Sequence, residues 1–468
     1  MKDLGAIFKA YDVRGTYPDQ LDEDTAQQIG SAFARFVGTE RIALGRDMRT
    51  SSPSLAAAFS EGVASAGASV VDLGLVSTDA LYFASGRLDL PGAMFTASHN
   101  PARYNGLKLC RQRAAPIGID SGLVEIRSLA ESSVEPVTGS RWAGTHIDYE
   151  GILGDYAAHC LSFIDQGRLR PLRVAIDAGN GMAGLTVPPV FDQLPFEVVP
   201  LFFELDGTFP NHPANPIEPQ NLVDLQRAVT QHGCDLGLAF DGDADRVFLV
   251  DEHAGIVSGS ATTALVAERL LHRNPGATVI YNLICSWSVR EVIKEAGGRP
   301  LRSRVGHSYI KELMAEEDAV FAGEHSGHYY FRDNFRADSG MIAALLVLEA
   351  LSEAAVPLSK MLLPYQRYFP SGEVNFVVAD QAEMIELLAA VFADGRQDRL
   401  DGLTVEYDDW WFNCRPSNTE PLLRLNLEAR TETSMEERLE RVRNLIEGGG
   451  ADAVSGATES EERPDADR

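Results

Sequence analysis

Cysteine is scarce in this chain of 468 residues, and the few that it has form no C-x-x-C pair. The five cysteines are Cys110, Cys160, Cys234, Cys285 and Cys414. An odd number of scattered cysteines does not supply the disulfide framework of a secreted domain. The sequence therefore predicts a protein of a reduced, intracellular compartment.

Basic residues are also in deficit. The chain has 41 Lys and Arg against 68 Asp and Glu, which gives a formal net charge of -27. Nucleic acids and anionic membrane surfaces require a basic face, so neither is expected as a partner. If the substrate is an anion, a few basic side chains must be gathered at one place against an acidic background.

No apolar run is long enough for a signal peptide or a membrane span. The chain begins MKDLGAIFKAYDVRG, and its most apolar later stretch, residues 341–351, contains Glu349. A membrane-spanning helix needs about 20 mostly apolar residues. The stretch is therefore predicted to be a buried helix, and the protein is predicted to be cytoplasmic.

Strand-like apolar runs alternate with helix-like segments along most of the chain, which is typical of α/β domains. The pattern begins again near residues 172 and 277, with LRVAIDAGNGMAG and ATVIYNLICS. We expect three similar α/β domains with mixed or parallel sheets and a smaller C-terminal α+β domain, arranged around one central cleft. The predicted bounds are 1–148, 149–255, 256–368 and 369–447, and residues 448–468 are predicted to be a disordered acidic tail.

In the last domain the alternation of strands and helices changes. EVNFVVAD, LTVEYDDWWFNC and LLRLNLEAR are predicted to be strands, and residues 382–392 and 435–446 are predicted to be helices.

Each predicted α/β domain has an apolar strand that ends in a polar motif. GAMF leads into TASHNP (96–101), LGLAF into DGDADR (241–246), and AVFA into GEHSGH (323–328). Ligands of open parallel sheets bind at the carboxyl ends of strands, so these three ends could face one cleft. The last domain supplies a fourth motif, RPSNTEP (415–421).

The DGDADR motif places three carboxylates at alternate positions, and a divalent cation would relieve their repulsion. An EF-hand loop is disfavoured, because Arg246 stands where that loop requires glycine and because a strand follows. An aspartyl-phosphate hydrolase and a solvated acidic turn both remain open.

The other three motifs also have a functional and a plain interpretation. A serine such as that of TASHNP needs activation to act as a nucleophile. The glycines of GEHSGH would let the backbone approach a ligand, and the arginine of RPSNTEP suits a phosphate. Each motif could equally be a turn of small polar residues.

Together, in this order and spacing, the four motifs resemble those of the α-D-phosphohexomutase family. The resemblance covers roughly residues 5–447 and includes FKAYDVRG (8–15) and VGHSYIK (305–311). It implies a magnesium-dependent isomerase in which a phosphoserine phosphorylates a hexose phosphate. A hexose 1,6-bisphosphate forms, its other phosphate returns to the serine, and the same bisphosphate is the activator of the enzyme.

The resemblance also assigns roles to individual residues. Ser98 is the implied phosphoserine, and one of its phosphate oxygens joins Asp241, Asp243 and Asp245 as a ligand of Mg²⁺. Lys108, Arg246 and His307 complete the implied catalytic set. The implied substrate-binding residues are Tyr11, Arg14, Glu324, Ser326, His328, Arg415, Ser417, Asn418 and Thr419.

The implied chemistry needs alignment of the reacting oxygens and neutralisation of phosphoryl charge. Mg²⁺ and Arg246 can supply the neutralisation. Lys108 and His307 are the candidates for general acid and base, and Lys108 would need a lowered pKa for this role.

The choice of substrate depends on finer features. Ala244 favours the phosphomannomutase/phosphoglucomutase branch, because phosphoglucosamine mutases usually have glycine there. Ile284 and His325 depart from the residues common in the family, which are lysine and either methionine or glutamine. We expect mannose phosphate as the favoured substrate, with glucose phosphate second, since one hydroxyl gives limited discrimination.

Other interpretations of the function stay open. Phosphoglucosamine mutase is an alternative within the family, and a phosphatase or a non-catalytic sugar-phosphate-binding protein is the alternative from another class. The expected partner is a small hexose phosphate, and the expected oligomeric state is a monomer or a homodimer.

Overall fold

The computed structural model describes residues 2–132, 146–417 and 422–448. The chain divides into two compact units, a larger one of residues 1–285 with 289–365 and a smaller one of residues 286–288 with the chain from 366 onward. Asn418 and Thr419 lie outside the described residues, as does the predicted tail apart from Gly448.

The first sheet of the larger unit is mixed. Its strands are Val13–Thr16 (β1), Arg41–Arg46 (β2), Ser69–Leu75 (β3), Gly92–Phe95 (β4), Tyr104–Cys110 (β5) and His146–Asp148 (β6). They lie in the order β1-β5-β4-β2-β3-β6, and β5 runs antiparallel to both of its neighbours. The helices of this region are Glu23–Val37 (α1), Ser52–Ser65 (α2), Thr78–Leu88 (α3) and Val124–Glu131 (α4).

The second sheet repeats this plan with five strands. They are Leu172–Asp177 (β7), Phe196–Leu201 (β8), Leu236–Phe240 (β9), Val247–Asp251 (β10) and Ile256–Val257 (β11). Their order is β11-β10-β9-β7-β8, with β7 parallel to β8 and β9. The accompanying helices are Ile152–Leu161 (α5), Ala183–Phe191 (α6) and Val223–His232 (α7).

The third sheet is built in the same way. Its strands are Thr278–Asn282 (β12), Arg299–Ser303 (β13), Phe321–Gly323 (β14), Tyr329–Phe331 (β15) and Ala337–Asp338 (β16), in the order β13-β12-β14-β15-β16. Its helices are Gly259–Arg273 (α8), Trp287–Glu295 (α9), His307–Glu316 (α10), Gly340–Ala354 (α11) and Leu358–Leu362 (α12).

The three sheets share one local arrangement. In each, a buried strand that pairs in parallel on one side leads through a polar loop into an antiparallel strand, namely β4 into β5, β9 into β10 and β14 into β15. The polar loops are the TASHNP, DGDADR and GEHSGH motifs. The predicted fold class of three similar mixed-sheet α/β domains is confirmed.

The smaller unit contains an antiparallel sheet, as an α+β domain requires. Its strands are Phe369–Phe376 (β17), Arg396–Asp398 (β18), Leu403–Glu406 (β19), Trp410–Pro416 (β20) and Leu423–Ala429 (β21), in the order β17-β21-β20-β19-β18. Its helices are Gln381–Val391 (α13) and Glu432–Glu447 (α14).

One predicted strand of this domain is wrong. LTVEYDDWWFNC is a hairpin of β19 and β20, because the chain turns at the two aspartates, where the backbone N–H of Tyr407 donates to the carbonyl of Trp410 at 2.9 Å. Aspartate favours such turns, since its side chain competes for backbone hydrogen bonds.

The core of the larger unit is continuous across its three sheets. One apolar cluster includes Met94 of the first, Ile176 of the second and Phe321 of the third. Helix α11 lies within it, and the predicted buried helix over residues 341–351 is confirmed. Among the described residues no single helix is long and apolar enough to cross a membrane. The two helical segments Gly340–Ala354 and Leu358–Tyr365, which are bent by 100° relative to each other, reach that length and composition only when taken together.

A buried carboxylate joins three segments of this unit. Asp79 is fully buried and accepts hydrogen bonds from Ser77, Tyr156 and Ser339. Ser77 and Ser339 are also the N-caps of α3 and α11. Burial raises the pKa of Asp79 to about 7, although the three hydroxyls act in the opposite direction.

The raised pKa of Asp79 predicts a pH dependence of stability. Its pKa is 3.8 when exposed, so between about pH 4 and 7 the folded protein binds a proton that the unfolded chain releases, and stability falls as the pH rises. Between pH 5 and 8 the free energy of unfolding should fall by about 2–3 kcal/mol more in the wild type than in Asp79→Asn. Denaturant titrations at several pH values measure this. The exposed Asp192→Asn is the control, and equal pH trends in wild type and Asp79→Asn would contradict the assignment.

Candidate active site

The three polar loops of the larger unit meet at one place. The backbone of Arg246 forms a β-bridge with that of His328, which joins the DGDADR and GEHSGH loops. The hydroxyl of Ser98 donates to Asp241 Oδ2 at 2.7 Å, which joins TASHNP to DGDADR. The structure therefore brings together the three strand ends that the sequence singled out in this unit.

The Ser98 hydroxyl lies between the carboxylate of Asp241 and the guanidinium of Arg246. Besides its bond to Asp241, Ser98 Oγ accepts from Arg246 Nη2 at 3.1 Å. Arg246 also donates to Asp241 Oδ2 at 2.7 Å and to His99 Nδ1 at 2.6 Å. Burial and the Arg246 charge lower the pKa of His99 well below its usual value, so His99 is neutral and can accept this bond.

The backbone near Ser98 is strained and closely packed. Ser98 has φ 49° and Ala244 has φ 61°, a left-handed conformation that costs non-glycine residues about 1–3 kcal/mol each and is often found at functional sites. The two loops touch at Gly242, where an added Cβ would lie 2.5 Å from the carbonyl oxygen of Ser98. Only glycine allows this approach.

The three aspartates of DGDADR form a candidate cation site. Asp241, Asp243 and Asp245 are buried, and one oxygen from each lies within 4.8 Å of the others. Asp243 Oδ1 and Asp245 Oδ1 accept no hydrogen bond from any described residue. Buried acceptors without donors are costly, and an all-oxygen set suits a hard divalent cation. The residues present therefore fit the magnesium ion that the family resemblance implies.

The pKa values of these aspartates are set by burial and by the neighbouring charges. Burial raises the pKa of Asp241 to about 7; Arg246 opposes the rise, whereas Asp243 and Asp245 add to it. Burial and the charge of Asp243 raise the pKa of Asp245. Burial acts to raise the pKa of Asp243 too, but Lys108 and Thr78 outweigh it and the pKa is lowered.

Lys108 lies directly against this triad. Its ammonium is 2.7 Å from Asp243 Oδ2 and 2.5 Å from Asp245 Oδ2. Burial acts to lower the pKa of Lys108, but these two carboxylates prevail and raise it well above the usual value. The condition that a general base at Lys108 would need, a lowered pKa, is therefore not met in this arrangement, because both neighbours carry negative charge.

The candidate residues of the GEHSGH loop lie beside the three aspartates. Glu324 is buried and accepts from the Tyr330 hydroxyl at 2.9 Å, and His328 Nδ1 lies 3.0 Å from Ser326 Oγ and 3.3 Å from Glu324 Oε2. The other ring nitrogen of His328 is 3.9 Å from Asp245 Oδ1. Burial acts to lower the pKa of His328, and the two carboxylates raise it overall.

Two candidates from the N-terminal segment reach different parts of the site. Arg14 donates to Asn100 Oδ1 at 2.6 Å and so lies over the TASHNP loop (96–101), which we call the serine loop. Tyr11 lies 5.1 Å, ring to ring, from His307 and donates to the carbonyl of Val305 at 3.2 Å. Burial lowers the pKa of His307 well below its usual value, and Lys311 lowers it further.

The fourth motif belongs to the smaller unit. Arg415 lies at the end of β20, buried, and its guanidinium donates to Glu373 Oε2 at 3.1 Å and Asn426 Oδ1 at 3.2 Å. The backbone N–H of Ser417 donates to the carbonyl of Leu422 at 2.8 Å. Asn418 and Thr419 fall outside the described residues, so their predicted role stays a prediction.

Models of known protein families match most of the chain. Those of the phosphoglucomutase/phosphomannomutase alpha/beta/alpha domains I, II and III match residues 5–134, 154–255 and 258–368, and that of the C-terminal domain matches residues 373–445. The chain belongs to the phosphoglucomutase/phosphomannomutase family.

Relatives in this family match over nearly the whole chain. The chain is 41% identical over 446 residues to phosphohexose mutases of Xanthomonas campestris pv. campestris, covering 94% of this chain and 99% of the relative. It is 40% identical over 449 residues to a phosphomannomutase of Salmonella montevideo, covering 94% and 98%.

Solved structures agree on the fold. A phosphoglucomutase/phosphomannomutase family protein from Burkholderia thailandensis superposes with a TM-score of 0.86 at 33% identity, over 97% of this chain and 99% of the other. An N-acetylphosphoglucosamine mutase from Aspergillus fumigatus, solved in complex with GlcNAc-6P and magnesium, superposes with a TM-score of 0.63 at 14% identity, over 95% of this chain and 96% of the other.

Several residues of the site were not singled out from the sequence. The hydroxyl of Thr78 donates to Asp243 Oδ2 at 2.5 Å, and its backbone N–H donates to the carbonyl of Asp243 at 3.0 Å. His99 contacts Arg246, and Arg49 lies beneath the serine loop. His99, Arg49 and Thr78 each follow an apolar strand of the first sheet, so the signal that marked the TASHNP motif also applies to them. The partner that each of them contacts is not marked in the sequence.

The aspartate cluster predicts a specific metal dependence. Mg²⁺ should raise the melting temperature of the wild type, because a ligand that binds only the folded state stabilises it. Asp243→Asn and Asp245→Asn should each weaken Mg²⁺ binding by about tenfold or more, because each removes an anionic ligand. Calorimetric titration and thermal melts measure both quantities. Asp224→Asn, on α7, should bind Mg²⁺ as the wild type does; unchanged affinity in all three variants would place the cation elsewhere.

Proposed function

We propose that this protein is a phosphomannomutase that interconverts mannose 6-phosphate and mannose 1-phosphate through a phosphorylated Ser98. The observation that carries the proposal is the position of the Ser98 hydroxyl, which is shared between Asp241 and Arg246 beside two further carboxylates. Family membership and the names of the relatives support the assignment.

Three side chains would hold the metal ion in this proposal. Asp241, Asp243 and Asp245 would bind Mg²⁺ together with a phosphate oxygen on Ser98, and the ion would supply positive charge next to the phosphoryl group. Arg246 supplies further positive charge, since its guanidinium already reaches Ser98 Oγ.

The transfer step is written from the phosphorylated serine. The attacking hydroxyl oxygen of the sugar phosphate forms a bond to phosphorus while the bond from phosphorus to Ser98 Oγ breaks. The proton of the sugar hydroxyl passes to a base, and Ser98 regains a proton. The product is a hexose 1,6-bisphosphate. Transfer of its other phosphoryl group to Ser98 reverses these bond changes and releases the isomer.

Two groups are proposed to carry the proton. His307 is neutral at neutral pH because burial lowers its pKa, so its imidazole can accept a proton from the sugar hydroxyl. Lys108 carries its proton beside the aspartates and is the candidate donor. Both groups belong to the larger unit, as Ser98 does.

The remaining candidates would recognise the substrate. Glu324, Ser326 and His328 present adjacent oxygen and nitrogen atoms suited to sugar hydroxyls, and Tyr11 and Arg14 are proposed to contribute from the N-terminal segment. Arg415 and Ser417 are proposed to bind the phosphate that does not react. For Arg415, that phosphate would replace Glu373 as the anionic partner of the guanidinium.

The preference for mannose is the finest part of the proposal. It rests on the names of the relatives and on Ala244, and glucose phosphate is proposed as a second substrate, because the two sugars differ only in the orientation of one hydroxyl. A hexose 1,6-bisphosphate is proposed as the activator, since the cycle needs a phosphorylated serine to begin.

The proposal predicts which substrates the enzyme converts. With Mg²⁺ and a trace of glucose 1,6-bisphosphate, mannose 6-phosphate should give a growing 1-phosphate signal in ³¹P NMR, and glucose 6-phosphate should give a slower one. Glucosamine 6-phosphate should change least. Ser98→Ala should reduce the rate to below about a thousandth of the wild-type rate, because the phosphoryl acceptor is lost.

Controls separate the competing functions. Ser128→Ala, an exposed serine on α4, should react as the wild type does. Release of inorganic phosphate alone would indicate a phosphatase. Binding of mannose 6-phosphate without turnover, in protein shown to carry phosphoserine, would indicate a non-catalytic sugar-phosphate-binding protein.

A further inference from the structure

A buried arginine lies beneath the serine loop. Arg49 stands between β2 and α2, and only 1% of its surface is exposed. Its Nε donates to Asp47 Oδ2 at 3.2 Å, and its backbone N–H donates to Asp47 Oδ1 at 3.0 Å. Ser52 also donates to this carboxylate, at 2.6 Å. The charge of Arg49 is therefore neutralised by a neighbour that is itself held in place.

The other N–H groups of the guanidinium donate to one short segment of backbone. Nη1 donates to the carbonyls of Pro101 and Tyr104, both at 2.9 Å. Nη2 donates to the carbonyls of Ser98 at 2.9 Å and Asn100 at 2.6 Å. With the bond from Nε, all five N–H groups of the guanidinium have acceptors. Four of the five bonds fix the loop that begins at Ser98.

This loop needs such support. Ser98 has the left-handed backbone conformation that non-glycine residues avoid, and its N–H donates to Thr96 Oγ1 at 2.9 Å. Thr96 therefore holds the amide side of Ser98 and Arg49 holds the carbonyl side. These two contacts fix the direction of the Cα–Cβ bond of Ser98 and restrict the rotamers that are open to Oγ. Within that restriction Oγ bonds to Asp241 and Arg246.

A loop of the second α/β domain covers the arginine. The ring of Phe209 lies 5.1 Å from Arg49 Cζ. Gly207 packs so closely that an added Cβ would lie 2.5 Å from Arg49 Cα. The cover contributes to the burial of the Arg49 side chain, and hydrogen bonds of a buried group are stronger than those of an exposed one.

We propose that Arg49 is a positioning residue for phosphoryl transfer, which fixes the backbone of Ser98 so that its oxygen points at Asp241 and Arg246. It is not a catalytic residue, because its contacts to the serine loop are to carbonyl oxygens. The inference rests on the proposed function for its kinetic test, but it concerns the direction of the Ser98 side chain, which a signal from the phosphorylated protein reports without turnover.

Arg49→Lys is the decisive variant. It keeps the positive charge but cannot bond to several carbonyls at once in a planar fork. We expect a folded protein in which kcat falls about 10- to 100-fold while KM changes less than about threefold, because a small displacement of a reacting atom is costly. The ³¹P signal of phosphoserine should shift relative to the wild type.

Two further variants make the test specific. Arg46→Lys, on β2, is the matched control, because Arg46 pairs with Asp72 at 3.1 Å and stands one residue before Asp47 in the same segment. It should keep the wild-type kcat and phosphoserine signal. Phe209→Leu removes only the cover and should lower kcat about three- to tenfold; it decides the matter if Arg49→Lys does not fold.

The outcomes are distinguishable from failure of the proposed function. A wild type that converts no hexose phosphate would contradict the function, and the phosphoserine signals of the variants would then decide the role of Arg49 alone. The proposal for Arg49 is overturned if Arg49→Lys or Phe209→Leu melts at a lower temperature but keeps kcat within twofold and leaves the phosphoserine signal unchanged. Such a result would mean that Arg49 serves stability only.

Discussion

The burial of three aspartates at the end of β9 is the constraint on which the rest of the site depends. Three carboxylates so close together, away from water, are unstable without positive charge. The first α/β domain supplies Lys108 and the hydroxyl of Thr78, the second supplies Arg246, and the third brings His328 to 3.9 Å from Asp245. The contacts that compensate this charge therefore also join the three domains, in addition to the apolar core that the domains share.

The shared arrangement of the three sheets explains how such different loops come to one place. In each, the motif connects a strand with a parallel neighbour to the antiparallel strand beside it, so it lies at the carboxyl end of a buried strand. Rigid strands on both sides hold each loop at its ends. This rigidity permits the strained backbone at Ser98 and Ala244, since surrounding structure must over-determine such conformations for them to persist.

Much of this could be predicted from the sequence, because polar motifs after buried strands mark sites by local pattern alone. The loops that contain Ser98, the three aspartates and Glu324 are predicted in this way, and the roles of these residues are implied by the family resemblance. The residues that were missed act through tertiary contacts: Arg49 bonds to carbonyls about 50 positions away, and Thr78 meets Asp243 across 165 positions. The raised pKa of Lys108 could not be predicted for the same reason, since its two carboxylate neighbours come from another domain. The hairpin of β19 and β20 was missed because both strands are apolar and only its two aspartates mark the turn.

The charges of the site bear on how an acidic chain can accept an anionic substrate. The lysine and arginine side chains assigned to the site in the larger unit already have acidic partners, since Arg14 pairs with Asp12, Lys108 with Asp243 and Asp245, and Arg246 with Asp241. These pairs leave little positive charge for a phosphate. A divalent cation on the triad would change this balance, because it compensates the carboxylates that now engage Lys108 and Arg246 and lets both side chains interact with a phosphoryl group. Under the proposed function the acidic triad would therefore have two roles, because it would bind the cation and would also hold Lys108 and Arg246 next to the position of the phosphoryl group.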